Sequence, residues 1–325
     1  MTGARVRAGV VLSVVLVALS LARPARAQAC CTATGSSGFG VVGRCHFAAL
    51  AAQLAYERGH GSFDARGRYR TLRGAEVDDV VLSLGGGIRL GTPAWQIYGS
   101  VPLRLQYRDL GGLAPAGAVG PGDASVGLRY MAVEDLVTGI DVHDARTFVP
   151  FVEPFVGVRA PTGRGPTGSK TPSGVDATGD GAWTAFAGVA VTKFLTLRDA
   201  LVLVGSWGYR FPHDVAAAGG GARRFSPGQE VRARLAFVRV FNLFWSGSVF
   251  ASVIFTSDVA QDGQRVPYSA TRRVRFGASL MRYVVYPYWK LGLSASLDPP
   301  IEGFGQNIPF ASASVACLVQ RNFTW

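Results

Sequence analysis

The sequence predicts an all-β chain folded as an antiparallel, up-and-down transmembrane β-barrel of about 12 strands. Three observations carry this prediction. The composition is apolar without long apolar runs: 48% of residues are hydrophobic and 17% charged, and the mean hydropathy is +0.22. One stretch, near the amino terminus, is continuous enough to be weighed as a membrane helix. Beyond it, segments of about ten residues or more alternate apolar with small or polar side chains, the period of a strand. The links between these segments are long and short in turn, as in barrels with tight turns at one membrane face and longer loops at the other.

The same composition excludes several classes. Low charge and 42 glycines leave no room for a coiled coil, a charged disordered tail or a collagen-like repeat, and the scarcity of apolar runs excludes a membrane helix bundle. The chain carries 33 Lys and Arg against 21 Asp and Glu. Almost all of the basicity is arginine, the lysines being Lys170, Lys193 and Lys290. No helix with a basic face or recognisable binding motif is present, so nucleic acid is not an expected partner.

Residues 1–27 read as a secretory signal. Arg5 and Arg7 supply a positive region, Val10 to Leu21 a short apolar core, and Ala25-Arg26-Ala27 the small residues read by a signal peptidase. Cleavage before Gln28 removes four arginines and no acid, so the formal charge falls from +12 to +8. Export implies an oxidising compartment for Cys30, Cys31, Cys45 and Cys317. These are disulfide candidates. Four cysteines allow three full pairings, the adjacent Cys30 and Cys31 are poorly placed to bridge each other, and a bond from either to Cys45 would close a small loop. Residues 28–45 are read as a short periplasmic or plug-like segment, and 46–325 as the barrel.

Period-two alternation is clearest from Trp95 to Arg108. Trp95, Ile97, Val101, Leu103, Leu105 and Tyr107 share one face; Gln96, Ser100, Arg104, Gln106 and Arg108 share the other. Similar segments cover 46–58, 76–90, 95–108, 122–134, 147–160, 182–197, 200–211, 229–241, 244–257, 268–284, 288–297 and 310–325. The link at 135–146 breaks the alternation of long and short connections, and the longest link, 161–181, is rich in Gly, Thr, Ser and Pro. Aromatic residues near strand ends (Trp95 and Tyr107, Trp183 and Phe194, Trp207 and Tyr209) read as interface girdles, where one end of the ring is wet and the other apolar.

The carboxyl terminus supplies a separate signal. The chain ends in Trp325, with Phe323, Val319 and Val315 at alternate positions before it. This resembles the terminal strand that the insertion machinery of Gram-negative outer-membrane barrels reads. Arg321 departs from the pattern, where an apolar residue is usual, and its long side chain can reach to headgroups. Further back, Gly120-Pro121-Gly122-Asp123 and Gly127-Leu128-Arg129-Tyr130 resemble the Gly-x-Gly-Asp start of a strand in outer-membrane transporters of the meta-pathway phenol-degradation type. That resemblance implies passage of small, often aromatic or apolar, compounds across the outer membrane. In its own right, Asp123 is placed to bond backbone amides at a tight glycine turn.

Catalytic chemistry is not in evidence. His46, His60, His143 and His213 fall at strand ends or in links, with no Ser or Cys at a nucleophile spacing. The His-x-Ser-Asn pattern of outer-membrane phospholipases is absent, and no cofactor or metal is expected. Gly163 to Thr171 only superficially resembles a phosphate loop, because it joins strands rather than a strand and a helix. Asp176 and Asp180 in the same link could bind a divalent ion outside the cell, but as loop acids they are read as solvated.

The polar faces instead define a lumen: Gln53, Glu57, Arg89, Arg104, Gln106, Arg108, Arg129, Glu153, Arg210, Arg232, Arg234, Arg273, Arg275 and Lys290. Buried charge requires pairing or water, so the set implies a hydrated interior that favours anions, or an Arg–Glu network that closes it. Gly188, Ala190, Phe250 and Ile254 make part of the wall apolar. The expectation is an outer-membrane channel or transporter, not an enzyme, for small apolar, aromatic or anionic solutes, with outer-membrane lipid and the insertion machinery as its partners. The rivals are a structural barrel with a plugged lumen and a lipid-modifying enzyme.

Overall fold

A computed structural model of the chain describes residues 41–324 except 44–45, 92–93, 135–138, 217–220, 303 and 305. The signal sequence, Cys30, Cys31, Cys45 and Trp325 lie outside the described residues. Twelve long strands form the wall: β1 (Ala48–Phe63), β2 (Glu76–Arg89), β3 (Trp95–Asp109), β4 (Ala124–Tyr130), β5 (Phe151–Ala160), β6 (Thr184–Phe194), β7 (Asp199–Arg210), β8 (Glu230–Val240), β9 (Trp245–Thr256), β10 (Thr271–Val285), β11 (Trp289–Leu297) and β12 (Ala311–Phe323). Each pairs antiparallel with its neighbours in sequence, and β12 pairs back onto β1 from Ala48 opposite Phe323 to Gly61 opposite Ala311. Closure leaves no open edge, as an all-β wall in lipid requires.

Alternation sets which side of the wall is wet. Leu50, Leu84, Val101, Leu203, Leu235 and Val315 stand exposed on the outer face, a belt of apolar side chains that water would not tolerate and a bilayer would. Trp95, Tyr107, Trp183, Trp207 and Tyr209 are also on this outer face. Phe194 is not; it is buried inside, edge-on to Phe151. Arg321 points outward and lies between two rings, 5.4 Å from the centroid of Trp289 and 5.1 Å from that of Phe323. Cys317 is on the same outer face and has no disulfide partner among the described residues.

The two ends of the barrel differ. Connections at the end holding the termini are tight turns apart from the link between β4 and β5, and those at the other end are loops. Two of the loops carry short strands that pair with each other, His213–Ala216, Ala222–Ser226, Ala260–Gln261 and Gln264–Arg265. At the turn end, Phe151, Phe194, Val202, Val238 and Val240, projecting inward from β5 to β8, form an apolar cluster. This cluster fills one side of the lumen.

The wall has one interruption. Ala116–Pro121 pairs with the loop-end half of β3 and β4 with the turn-end half, leaving Gly122 and Asp123 between them. Pro102 of β3 faces this gap and has no amide to donate, so the ladder cannot run through. Gly122 donates its amide to the Pro102 carbonyl at 2.8 Å, and a β-carbon on Gly122 would come within 2.8 Å of the proline ring. The gap is stitched by the link between β5 and β6. Asp123 accepts from the amides of Gly163 at 3.0 Å and Asp180 at 2.6 Å, and Thr162 donates to the Gly122 carbonyl at 2.6 Å while accepting from the Ala124 amide at 2.9 Å. Asp123 thus bonds backbone amides, but those of a distant link. A side chain on Gly179 would collide with its carboxylate.

Candidate functional site

The residues assigned to the lumen from sequence occupy strand positions of the parity opposite to the exposed apolar belt. Their surroundings divide them into those with acid partners and those without.

Near the loop end, Glu57 on β1, Arg273 and Arg275 on β10, Asp298 just after β11 and Ser312 on β12 converge. Arg273 reaches Glu57 at 2.5 Å and Asp298 at 2.6 Å; Arg275 reaches Glu57 at 3.0 Å and Asp298 at 2.8 Å. Ser312 receives hydrogen bonds from both guanidinium groups, at 2.6 and 2.7 Å, and donates to Glu57. Its amide is bonded to Asp298 at 2.9 Å, and Asp298 has no exposed surface. Two cations and two anions thus neutralise each other across strands that are far apart in sequence.

Other pairs occur around the wall. Arg108 bonds Asp79 at 2.7 Å. Glu230 receives Arg210 at 2.8 Å and Arg232 at 2.7 Å, while Asp180 bridges Arg159 at 3.1 Å and Arg210 at 3.3 Å. Arg129 lies 3.6 Å from Glu153 with the rings of Tyr98 and Phe155 beside it. Arg89 donates to the carbonyl of His46 at 3.0 Å. Gln106 is buried, and Gln53 faces the main cavity. Arg104 has a buried Nε without an acceptor among the described residues. Arg234 and Lys290 line the main cavity, each against an aromatic ring, Phe250 at 4.0 Å and Tyr283 at 5.9 Å from the ring centroid.

The cavities of the lumen include a larger one of about 380 Å³, which runs along β8 to β12 and β1, and a smaller one of about 200 Å³ at the loop end between Asp79, Arg108 and Phe310. Both are bounded by Glu57, with Arg275 facing the larger and Arg273 and Ser312 the smaller. The neutral cluster is therefore the partition between them. At the turn end, Val41 contributes to the wall of the larger cavity, Val42 is buried, and Gly43 accepts from the His46 amide at 3.0 Å. This short stretch of the chain ahead of β1 thus lies inside the barrel.

Of the acids of the long link, Asp180 keeps about a third of its side chain exposed, but Asp176 is buried rather than solvated as the sequence implied. Asp176 accepts from Ser169 at 2.5 Å, the Lys170 amide at 2.9 Å, Thr171 at 2.8 Å and Arg164 at 2.7 Å. These bonds, that of Ser169 foremost, hold its carboxyl well below the usual carboxylate range. No group of three or more His, Cys, Asp or Glu among the described residues is placed to hold a metal ion.

Several site residues were missed from sequence. Asp79 and Arg159 lie within the segments 76–90 and 147–160 at the parity of Arg89 and Glu153, and Asp298 lies one alternate position beyond Ser296, so following each face to its end finds them. Asp180 lies in a link and gives no periodic signal.

The fold is similar to that of an outer-membrane channel from Pseudomonas putida F1 solved by crystallography, with a TM-score of 0.67 at 14% sequence identity over 88% of this chain and 98% of that one. Weaker likenesses include the translocator domain of the autotransporter NalP from Neisseria meningitidis (TM-score 0.45, 10% identity, 85% of this chain and 88% of that one). A further one is a deletion mutant of the monoaromatic hydrocarbon channel TodX (TM-score 0.44, 9% identity, 86% of this chain and 91% of that one). No family model and no curated protein sequence matches the chain.

Proposed function

We propose that this protein is an outer-membrane channel for small solutes, exported by a cleaved signal at residues 1–27 and oriented with its termini in the periplasm. The observation that carries the reading is a lumen with cavities of mixed polar and apolar lining, divided by the Glu57–Arg273–Arg275–Asp298–Ser312 cluster, inside a closed wall whose exterior is apolar. Twelve strands enclose a space between that of eight-stranded barrels, which side chains fill, and that of sixteen-stranded porins, which stay open. A solute would pass on the polar side, along β9 to β12, past the apolar cluster of β5 to β8. The likeness to the Pseudomonas putida channel supports the same reading at the level of fold.

Conductance of the purified protein in planar bilayers is the test. Small, discrete channels are expected, with anions preferred. The Arg273→Ala/Arg275→Ala variant should conduct more through the opened partition and lose part of that preference. Absence of both conductance and solute uptake into vesicles would favour the structural rival, in which Val41–Gly43 and the apolar cluster seal the turn end.

A further inference from the structure

One cation of the larger cavity has no counter-charge. Arg234 makes no hydrogen bond or ion pair among the described residues, and its Nε is buried without an acceptor. The register shows why this is unusual. Arg234 lies opposite Ser252, and Ser252 lies opposite Arg275, so the two arginines share one row of the barrel. Arg275 is saturated by Glu57 and Asp298. Arg234 is backed only by the face of Phe250, which leaves its hydrogen-bonding edge free.

A guanidinium withdrawn from water without acceptors is unfavourable, so the site favours a guest that supplies them. The planar fork matches a carboxylate, which can take two parallel bonds. The surroundings are of mixed character, with Phe250, Met281 and Leu318 apolar and Ser279, Ser296 and Ser314 polar. A volume of about 380 Å³ falls within the range of small-molecule sites. The other cavity-lining cation without an acid partner, Lys290, pairs in register with Tyr283, eight residues along β10 from Arg275. At roughly 3.3 Å per residue that is about 26 Å along the strand, so a small solute meets one head group at a time. A single accessible cation selects a monoanion.

We propose that Arg234 and Phe250 form a lumenal binding site for a small aromatic or apolar monocarboxylate, its carboxylate held by the guanidinium and its apolar body lying along Phe250. The site deepens the channel reading and rests on it, as a stop on the path of the solute.

The probes are benzoate and its uncharged analogue benzamide, titrated calorimetrically into the full mature protein in micelles, with bilayer currents recorded from the same preparation. Benzoate should bind and reduce the current, and benzamide should bind about tenfold or more weakly. Arg234→Gln should lower benzoate to the level of benzamide, and Arg234→Lys should recover part of the difference, keeping the charge without the fork. Equal affinity for the two probes, no benzoate binding, or unchanged binding by Arg234→Gln would overturn the site. Should Arg234→Gln not give the heat-modifiable band of a folded barrel, the benzoate–benzamide comparison in the unaltered protein decides. Conductance without any effect of benzoate removes the site and leaves the channel. Arg234-dependent binding without conductance removes the channel and leaves the site.

Discussion

Arg275 and Arg234 occupy the same row of the barrel two strands apart, and their circumstances are opposite. The first is held by two carboxylates and a serine; the second has only a ring behind it. Position and residue type alone therefore do not reveal what an inward arginine does. A paired arginine ties strands together and contributes little net field, whereas an unpaired one imposes its charge on whatever enters. The excess of basic residues on the inner faces is thus concentrated at a few places, with most arginines neutralised by acids at the loop end.

The strongest way to break this contrast is to move Arg275 towards the surroundings of Arg234. Asp298→Asn removes a fully buried acid that binds two arginines, and breaking that buried pairing, with Glu57 left as the one acid for both, is expected to cost about 3–5 kcal/mol. Urea unfolding of the reconstituted barrel measures it. A smaller effect is expected at the gap in the wall. Asp123→Ala orphans the amides of Gly163 and Asp180, about 1–3 kcal/mol, and should make 161–181 susceptible to protease while the barrel keeps its heat-modifiable migration.

The turn end offers a pH-dependent case. His46 lies ahead of β1, outside the membrane-spanning strands, buried with neither ring nitrogen bonded among the described residues. Burial first, then Lys290 and Arg89, lowers its pKa from 6.5 to about 4. A neutral ring is favoured in the fold, so this contribution is fully present above pH 6.5 and declines as the pH falls towards about 4. His46→Phe should flatten the unfolding midpoint across that window. The smallest effect belongs to Arg234 itself. Arg234→Met removes an uncompensated charge and keeps an apolar stem, so stability should stay level or rise by about 1 kcal/mol. A loss as large as that of Asp298→Asn would mean that Arg234 has a structural partner after all.

Much of this was legible in the sequence because a strand in a barrel has two faces with different solvents. Each of the twelve segments read from the alternation of residues corresponds to one strand of the wall, with the polar positions on the face opposite the apolar belt. Phe194 misled because an aromatic residue at a strand end fits a membrane girdle and an internal cluster equally well, and parity with Ala190 and Gly188 was the better guide. Pairing was beyond reach. Glu57 meets Arg273 across 216 residues of sequence, and only closure of the ring brings β1 to β12 and its neighbours. The partners of Asp123 and Asp176 lie in links without periodicity, where residue types can be read but geometry cannot.

The proline in β3 has a consequence for how the barrel is made. Because Pro102 cannot donate a hydrogen bond, the seam beside it is mended by Thr162 and Asp180, which lie 40 and 57 residues beyond the groups they bind. The joint between β3 and β4 is complete only with the link between β5 and β6 laid over it. A late segment thus acts as the fastener for an early one, and a chain truncated before it would present lipid with a slit rather than a sealed surface.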